Sequence, residues 1–291
     1  MIIEIKNLNK YYDGRKVHAV KDLSIEVKKG EIFGFLGPNG AGKTTTIRSM
    51  MDFVRPTSGK VEILGKDAQI DSVFLKSKIG YLSDSAHFYG HWSAMDHINF
   101  QESLRGKSPI LQDLIKKFDL NAKLRFSNLS SGNKRKISII LALMNEPDIL
   151  ILDEPTSALD PLLQNALLIY LKNFAQKGGT VFISSHNLAE VEKICDRAAI
   201  IKDGKLVATE TISDLKSMKM YDVSFHAEKF DANMLKDKNT EITSHIDGMV
   251  KLKVKGDINP LVGRLAKIEV KDLEIVHVSL EDVFMEFYKN D

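Results

Sequence analysis

Little in this sequence serves for cross-linking or for crossing a membrane. One of its 291 residues is cysteine, Cys195, so no intramolecular disulfide can form. Cys195 sits in Val191-Glu192-Lys193-Ile194-Cys195 at a helical spacing that marks a small buried residue, and no motif around it would make a reactive thiol. The most apolar stretch, Ile137–Met144, falls far short of the ~20 residues that a transmembrane helix needs. Met1-Ile2-Ile3-Glu4-Ile5-Lys6 puts charges where a signal peptide has its apolar centre. The expectation is a cytoplasmic chain that reaches a membrane only through a partner. A strong excess of either charge is missing too. The formal net charge of +2 gives no support to nucleic acid as the main partner, since a phosphate-binding surface usually shows as a basic excess.

What is present suffices for a globular core: 43% of residues are hydrophobic and 27% charged. From Met1 to about residue 212, short β-branched runs alternate with helical stretches. The runs are Ile2–Ile5, Leu23–Val27, Ile32–Leu36, Ile149–Leu152, Thr180–Ser184 and Ala198–Ile201. Continuous apolar strands fit a sheet buried on both faces, so the fold class is α/β. Ser93–Phe126 reads as helical, with Leu111, Leu114, Ile115 and Phe118 at three- and four-residue spacing. Beyond residue 213 the pattern changes to a strand at Tyr221–Ala227, a short helix at Asp231–Asp237 and a hairpin, Glu241–Ile246 with Met249–Val254, around Asp247-Gly248. A helix at Ile258–Lys267, a strand at Leu273–Val278 and a last helix at Leu280–Tyr288 follow. That order suggests a small α+β accessory domain of split βαβ, ferredoxin-like type.

The strongest motif is Gly37-Pro38-Asn39-Gly40-Ala41-Gly42-Lys43-Thr44, followed by Thr45. It matches the phosphate-binding P-loop pattern, and it has the right context, following the strand Ile32–Leu36 and opening a helical stretch. Glycines let backbone N–H groups close on phosphate oxygens without a Cβ in the way. A helix amino terminus adds partial positive charge, Lys43 a full one, and the Thr44 hydroxyl is placed for Mg²⁺. A chance glycine-rich turn would not bring strand, loop and helix together in this order.

Ile149-Leu150-Ile151-Leu152-Asp153-Glu154 is a buried strand ending in two acids. A carboxylate at the carboxyl end of a parallel strand points into the crevice where such sheets bind ligands. Asp153 would hold Mg²⁺ and Glu154 would polarise an attacking water. Alone, the pair would read equally well as solvated acids capping a strand. Between loop and acids lies Leu129-Ser130-Ser131-Gly132-Asn133-Lys134-Arg135-Lys136, which reads by itself as a polar turn with Ser130 as N-cap and a solvated basic face.

In this position the segment resembles the Leu-Ser-Gly-Gly-Gln signature of the ATP-binding-cassette (ABC) ATPases. Ser131 stands for the first glycine and Asn133 for the glutamine. The remaining resemblances follow in order over about the first 210 residues. Tyr12 looks like the aromatic residue that stacks on adenine. Pro155-Thr156-Ser157-Ala158-Leu159-Asp160 is similar to the loop that crosses between two subunits, and His186 to the histidine that contacts the γ-phosphate. Asp84 stands after Gly80-Tyr81 where the family usually has a glutamine that touches Mg²⁺ or water.

The resemblance implies a P-loop ATPase domain over residues 1–212, with a helical signature subdomain at about 85–145, and an accessory domain over 213–291. It implies ATP and Mg²⁺ as cofactors, with Ser130, Gly132 and Asn133 acting in trans on the nucleotide of a second copy or a sister subunit. It further implies a separate multi-spanning permease and a place at the cytoplasmic face of the membrane. Met51–Gly59 and Ser279–Phe284 look most like subunits of bacterial drug, antibiotic or lantibiotic exporters. An importer subunit and a soluble, non-transport ABC ATPase are the alternatives. Nothing heptad-like supports the coiled coil of DNA-repair members, and His226, His245 and His277 lack metal-ligand spacing.

Overall fold

The computed structural model describes residues 1–85, 88–217, 220–227, 234–235 and 237–277. The chain divides into two compact units, Met1–Glu210 and Thr211–Asp291.

In the first unit ten strands form two sheets. They are β1 Ile3–Tyr12, β2 Val17–Val27, β3 Ile32–Leu36, β4 Ser58–Ile63, β5 Lys66–Asp67, β6 Ile79–Leu82, β7 Ile149–Asp153, β8 Thr180–Ser185, β9 Arg197–Lys202 and β10 Lys205–Thr211. One sheet runs β10-β9-β3-β8-β7-β6, and from β9 to β6 every pairing is parallel. Every residue of β3, β7 and β8 is buried, as continuous apolar runs require. The other sheet, β2-β1-β4-β5, is antiparallel.

That second sheet corrects the sequence reading of Ile2–Ile5 and Leu23–Val27 as strands buried on both faces. Ile3, Ile5 and Leu8 pair with Val27, Ile25 and Leu23 and are buried, while Glu4, Lys6, Ser24 and Glu26 alternate with them toward solvent. Alternation with polar residues leaves a strand only one apolar face to bury, and an antiparallel sheet provides for one wet face.

Among the described residues the α-helices of this unit are α1 Lys43–Met50, α2 Ser72–Lys78, α3 Ala94–Arg105, α4 Leu111–Lys117, α5 Ser131–Leu143, α6 Pro161–Gln176 and α7 Leu188–Ile194. Their starts are chemically marked. A capping box of Ser93 and Asp96 opens α3, Ser130 accepts from the Asn133 N–H at α5, and Asp160 caps α6 ahead of Pro161. Among the described residues no helix is long and apolar enough to cross a membrane.

Helix α5 meets β6 at bare backbone. A Cβ on Gly80 would lie 2.1 Å from the Ala142 carbonyl oxygen and 2.7 Å from Leu150 Cδ2. Gly80→Ala is therefore expected to lower stability by about 1–3 kcal/mol, the usual cost of overpacking. Urea denaturation would check this, and a parent-like midpoint would show that helix and strand can part without cost.

In the second unit α8 Ile212–Ser217 precedes β11 Met220–His226, β12 Thr240–Ile246, β13 Met249–Lys255, α9 Asn259–Leu265 and β14 Lys271–His277. The strands form one antiparallel sheet in the order β12-β13-β11-β14. Asp247 and Gly248, both at positive φ, turn β12 into β13 with Ile246 opposite Met249. Phe225, Val250, Leu252, Leu261 and Leu265 make the core of this unit. The helix expected at Asp231–Asp237 lies largely outside the described residues, and the one at Leu280–Tyr288 entirely so.

Candidate functional site

The carboxyl ends of β3, β6, β7 and β8 share one edge of the parallel sheet, and the chemistry-bearing residues collect there. Residues 37–42 lead from β3 into α1. Gly42 has φ +106°, and a Cβ on it would lie 2.5 Å from the Ala19 carbonyl oxygen; one on Gly37 would lie 2.4 Å from that of Ile201. At these two positions the loop packs against backbone and no side chain fits. The N–H groups of Lys43, Thr44 and Thr45 fall in the first turn of α1, where no intrahelical acceptor exists.

A cavity of about 170 Å³ opens in front of this turn, lined by Ala19, Pro38, Asn39, Gly40, Gly42, Lys43, Thr44, Thr45, Asp84 and Glu154. Lys43 is nearly buried. Its Nζ donates to the carbonyl oxygens of Gly37 at 2.6 Å and Pro38 at 3.2 Å, and lies 3.3 Å from Glu154 Oε1. The ammonium is thus held at the cavity wall before any ligand arrives.

Asp153 ends β7 with no exposed surface. Burial pushes its carboxyl above the usual carboxylate range, while the hydroxyls of Ser184 and Thr44 work the other way. Ser184 donates to Asp153 Oδ1, and Oδ2 is buried without a hydrogen-bond partner. Glu154 follows at φ +48°, the left-handed region that a non-glycine residue seldom occupies. Its amide donates to the Ser184 hydroxyl at 3.1 Å, and its Oε2 lies 2.8 Å from His186 Nδ1. The His186 ring itself is 60% exposed, so it can reach outward from the acid.

Arg135 corrects a second expectation. The run Lys134-Arg135-Lys136 reads in sequence as a solvated basic face, yet Arg135 is 5% exposed. Its guanidinium donates to main-chain oxygens of Ser83, Asp84, Asp153, Glu154 and Pro155. Burial draws its pKa below the ordinary value, and the carboxylates of Asp84, Asp153 and Glu154 oppose that. The flanking cations lie apart from it: Lys134 sits over the Phe126 ring and Lys136 donates to the Asp119 carbonyl. One signal for Arg135 was available in the sequence. It precedes Ile139 by four residues and Leu143 by eight, the spacing of a shared helix face. No comparable signal marked Ser184.

The structure brings together Gly37–Thr45, Asp84, Asp153, Glu154 and His186. Tyr12 lies outside the cavity lining, at the end of β1 with Lys10 Nζ 5.0 Å from its ring centre. Ser130, Gly132 and Asn133 do not line the cavity either; a Cβ on Gly132 would lie 3.1 Å from the Ala158 carbonyl oxygen. A larger cavity of about 630 Å³ lies at the amino ends of β7 and β8, among Lys29, Asp148, Tyr170 and Thr180, and holds none of the expected site residues.

The edge suits a phosphate ester with a hard divalent cation. Helix N–H groups without an intrahelical acceptor and a fixed ammonium lie at the cavity, and two buried carboxylate oxygens, Asp153 Oδ2 and Glu154 Oε1, lack a hydrogen-bond partner. Mg²⁺ is usually held by one or two carboxylates with phosphates and water, so Asp153 and the Thr44 hydroxyl are a fitting protein contribution.

Comparison with known proteins gives the following. A family model described as "ABC transporter" matches residues 20–157. The bacitracin transport ATP-binding protein BcrA of Bacillus licheniformis is 32% identical over 297 residues, covering 98% of this chain and 96% of that protein. The probable multidrug ABC transporter ATP-binding protein YbhF of Escherichia coli is 35% identical over 228 residues, 76% of this chain but 39% of its own length. A solved ATP-binding subunit of an ABC transporter superposes with a TM-score of 0.68 at 28% identity, over 74% of this chain and 92% of that one. A dimeric ATP-binding cassette in a post-hydrolysis state with ADP and Pi superposes at 0.66 and 24% identity, over 72% and 98%, a likeness of fold.

Proposed function

This chain belongs to the ABC transporter family as an ATP-binding, ATP-hydrolysing subunit, and from that membership we propose that it drives export through a separate membrane permease. The single observation that carries the catalytic part is one small cavity at the sheet edge lined by Lys43, Thr44 and Glu154, with the buried carboxyl of Asp153 directly behind it at the end of β7.

In this reading the backbone N–H groups of residues 39–45 and the Lys43 ammonium hold the β- and γ-phosphates of ATP. Bound Mg²⁺ would neutralise phosphate charge, with Thr44 and Asp153 as its protein ligands and Asp84 close by. Glu154 orients water for attack on the γ-phosphate. His186, hydrogen-bonded to Glu154, contacts that phosphate from the exposed side, and Tyr12 stacks on the base.

Two copies, or this chain and a sister subunit, close head to tail. The absence of Ser130, Gly132 and Asn133 from the lining of their own chain's cavity supports their acting on the partner's nucleotide. ATP must favour the closed pair over the open one for hydrolysis to yield work.

The permease proposal is supported by a groove of about 210 Å³ lined by Met51, Phe53, Ile79, Tyr81 and Leu141 together with Lys76, Gln101 and Arg105, with Phe53 half exposed. It suits an amphipathic helix from a membrane partner, apolar side chains beside acidic or polar ones, and adjoins β6, which runs into Asp84. The relatives' bacitracin and multidrug names favour export of a drug, antibiotic or peptide. The strand order of the second unit supports a ferredoxin-like accessory domain over residues 213–291.

Co-expression tests the transport part. The chain is expected in the membrane fraction only when a multi-spanning partner is co-expressed. Equal partition with and without that protein would leave the soluble, non-transport ATPase as the better reading.

A further inference from the structure

We infer that Arg135 is a positioning residue for hydrolysis: it fixes the backbone of Glu154 and ties that backbone, together with the Asp84 loop, to the helix that begins at Ser130. The inference rests on Glu154 acting in hydrolysis.

A guanidinium has five N–H donors in a rigid plane. Here Nε donates to Pro155 O at 3.3 Å, one terminal nitrogen to Ser83 O at 2.7 Å and Asp84 O at 3.2 Å, and the other to Asp153 O at 2.8 Å and to Glu154 O. Five donors meet five carbonyl oxygens. Those oxygens belong to two chain segments, and the arginine belongs to a third.

Glu154 is the residue with most to lose. Its left-handed backbone is a strained conformation that persists only where the surroundings hold it. The Ser184 hydroxyl holds its amide and Arg135 holds its carbonyl. Fixed at both ends, its carboxylate is aimed between Lys43 and His186. Without the fork, the buried carbonyls of Asp153 and Pro155 lose the guanidinium donor, the Glu154 carbonyl keeps the Ser157 N–H alone, and the Glu154 backbone is freer to relax toward an ordinary conformation. A carboxylate displaced by ~1 Å costs about 10²-fold in rate.

The same plane also bonds Ser83 and Asp84. A shift of that loop, or of α5 when Ser130 meets phosphate, therefore reaches Glu154 through one rigid group. Lysine cannot replace it, having three donors and no fork.

The test uses the full chain with Arg135→Lys, Arg135→Gln and Arg135→Met, and Glu154→Gln as reference. Thermal midpoint, affinity for a fluorescent ATP analogue and single-turnover hydrolysis are measured for each. The lysine and glutamine variants are expected to fold and to bind within about threefold of the parent, with hydrolysis ~10²-fold slower; the methionine variant is expected to be slowest. Parent-like rates in the folded variants would overturn the inference, as would equal losses of affinity and rate. Loss of the fold in all three would make Arg135 a structural residue instead. Should Glu154→Gln itself hydrolyse at the parent rate, the reading of the site fails first, and Arg135 has no acid to position.

Discussion

Glu154→Gln is expected to slow ATP turnover by ~10²–10⁴-fold while leaving nucleotide binding intact. The substitution keeps the length and shape of the side chain, and the amide can still hydrogen-bond His186, 2.8 Å from the present carboxylate, and lie beside Lys43, whose ammonium is 3.3 Å from the other oxygen. What it removes is the negative charge and the capacity to accept a proton from water. A residue that binds would lose affinity; one that acts on the attacking water loses rate alone. With hydrolysis blocked, ATP continues to favour the closed arrangement, so a dimer should accumulate. Steady-state hydrolysis, equilibrium nucleotide titration and sedimentation at saturating ATP and Mg²⁺ read the three quantities separately. Unchanged turnover would remove Glu154 from catalysis. Sedimentation as monomer only would end the head-to-tail proposal and leave the catalytic one standing.

Lys43→Ala is expected to show the opposite split. Its side chain is 6% exposed and its ammonium is already held by two loop carbonyls. A charge fixed in place before binding loses little freedom when phosphate arrives, so most of its attraction appears as affinity. Truncating one partner of a buried charged contact costs about 2–5 kcal/mol, which at the low end is already more than tenfold. We expect nucleotide affinity to fall by roughly 10²-fold, with α1 retained because alanine is a good helix former. A fluorescent-nucleotide titration beside a circular-dichroism melt checks both. Affinity within threefold of the parent, in a folded protein, would detach the loop from phosphate recognition. The three expected results differ in kind: a loss of rate with affinity kept for Glu154, a loss of affinity for Lys43, and a loss of rate at a distance for Arg135.

The parts of the site that could be read in the sequence are those built from neighbours along the chain. A glycine loop between a buried strand and a helix is a local object: its φ angles, its free N–H groups and its lysine lie within a few residues. The same holds for Asp153 and Glu154, which end an unbroken apolar strand, and for Asp247-Gly248, which turns one strand into the next. Periodicity identified four of the five parallel strands, β3, β7, β8 and β9, because burial on both faces leaves no room for polar alternation; it passed over β6, Ile79-Gly80-Tyr81-Leu82, which is short and holds a glycine. It misled at Ile2–Ile5 and Leu23–Val27, where the polar partners of an alternating pattern were passed over.

Sequence alone determined the glycine loop between strand and helix, the acid pair and the order of motifs, since each is specified by short-range geometry that side-chain type controls. The tertiary structure alone decided that Arg135 is buried, that Glu154 faces both Lys43 and His186, and that the first two strands form a separate antiparallel sheet. The carbonyls that receive Arg135 lie 18 to 52 residues away along the chain. A charged group is stable inside a protein only when its partners surround it, and which distant segments converge to provide them is settled by folding.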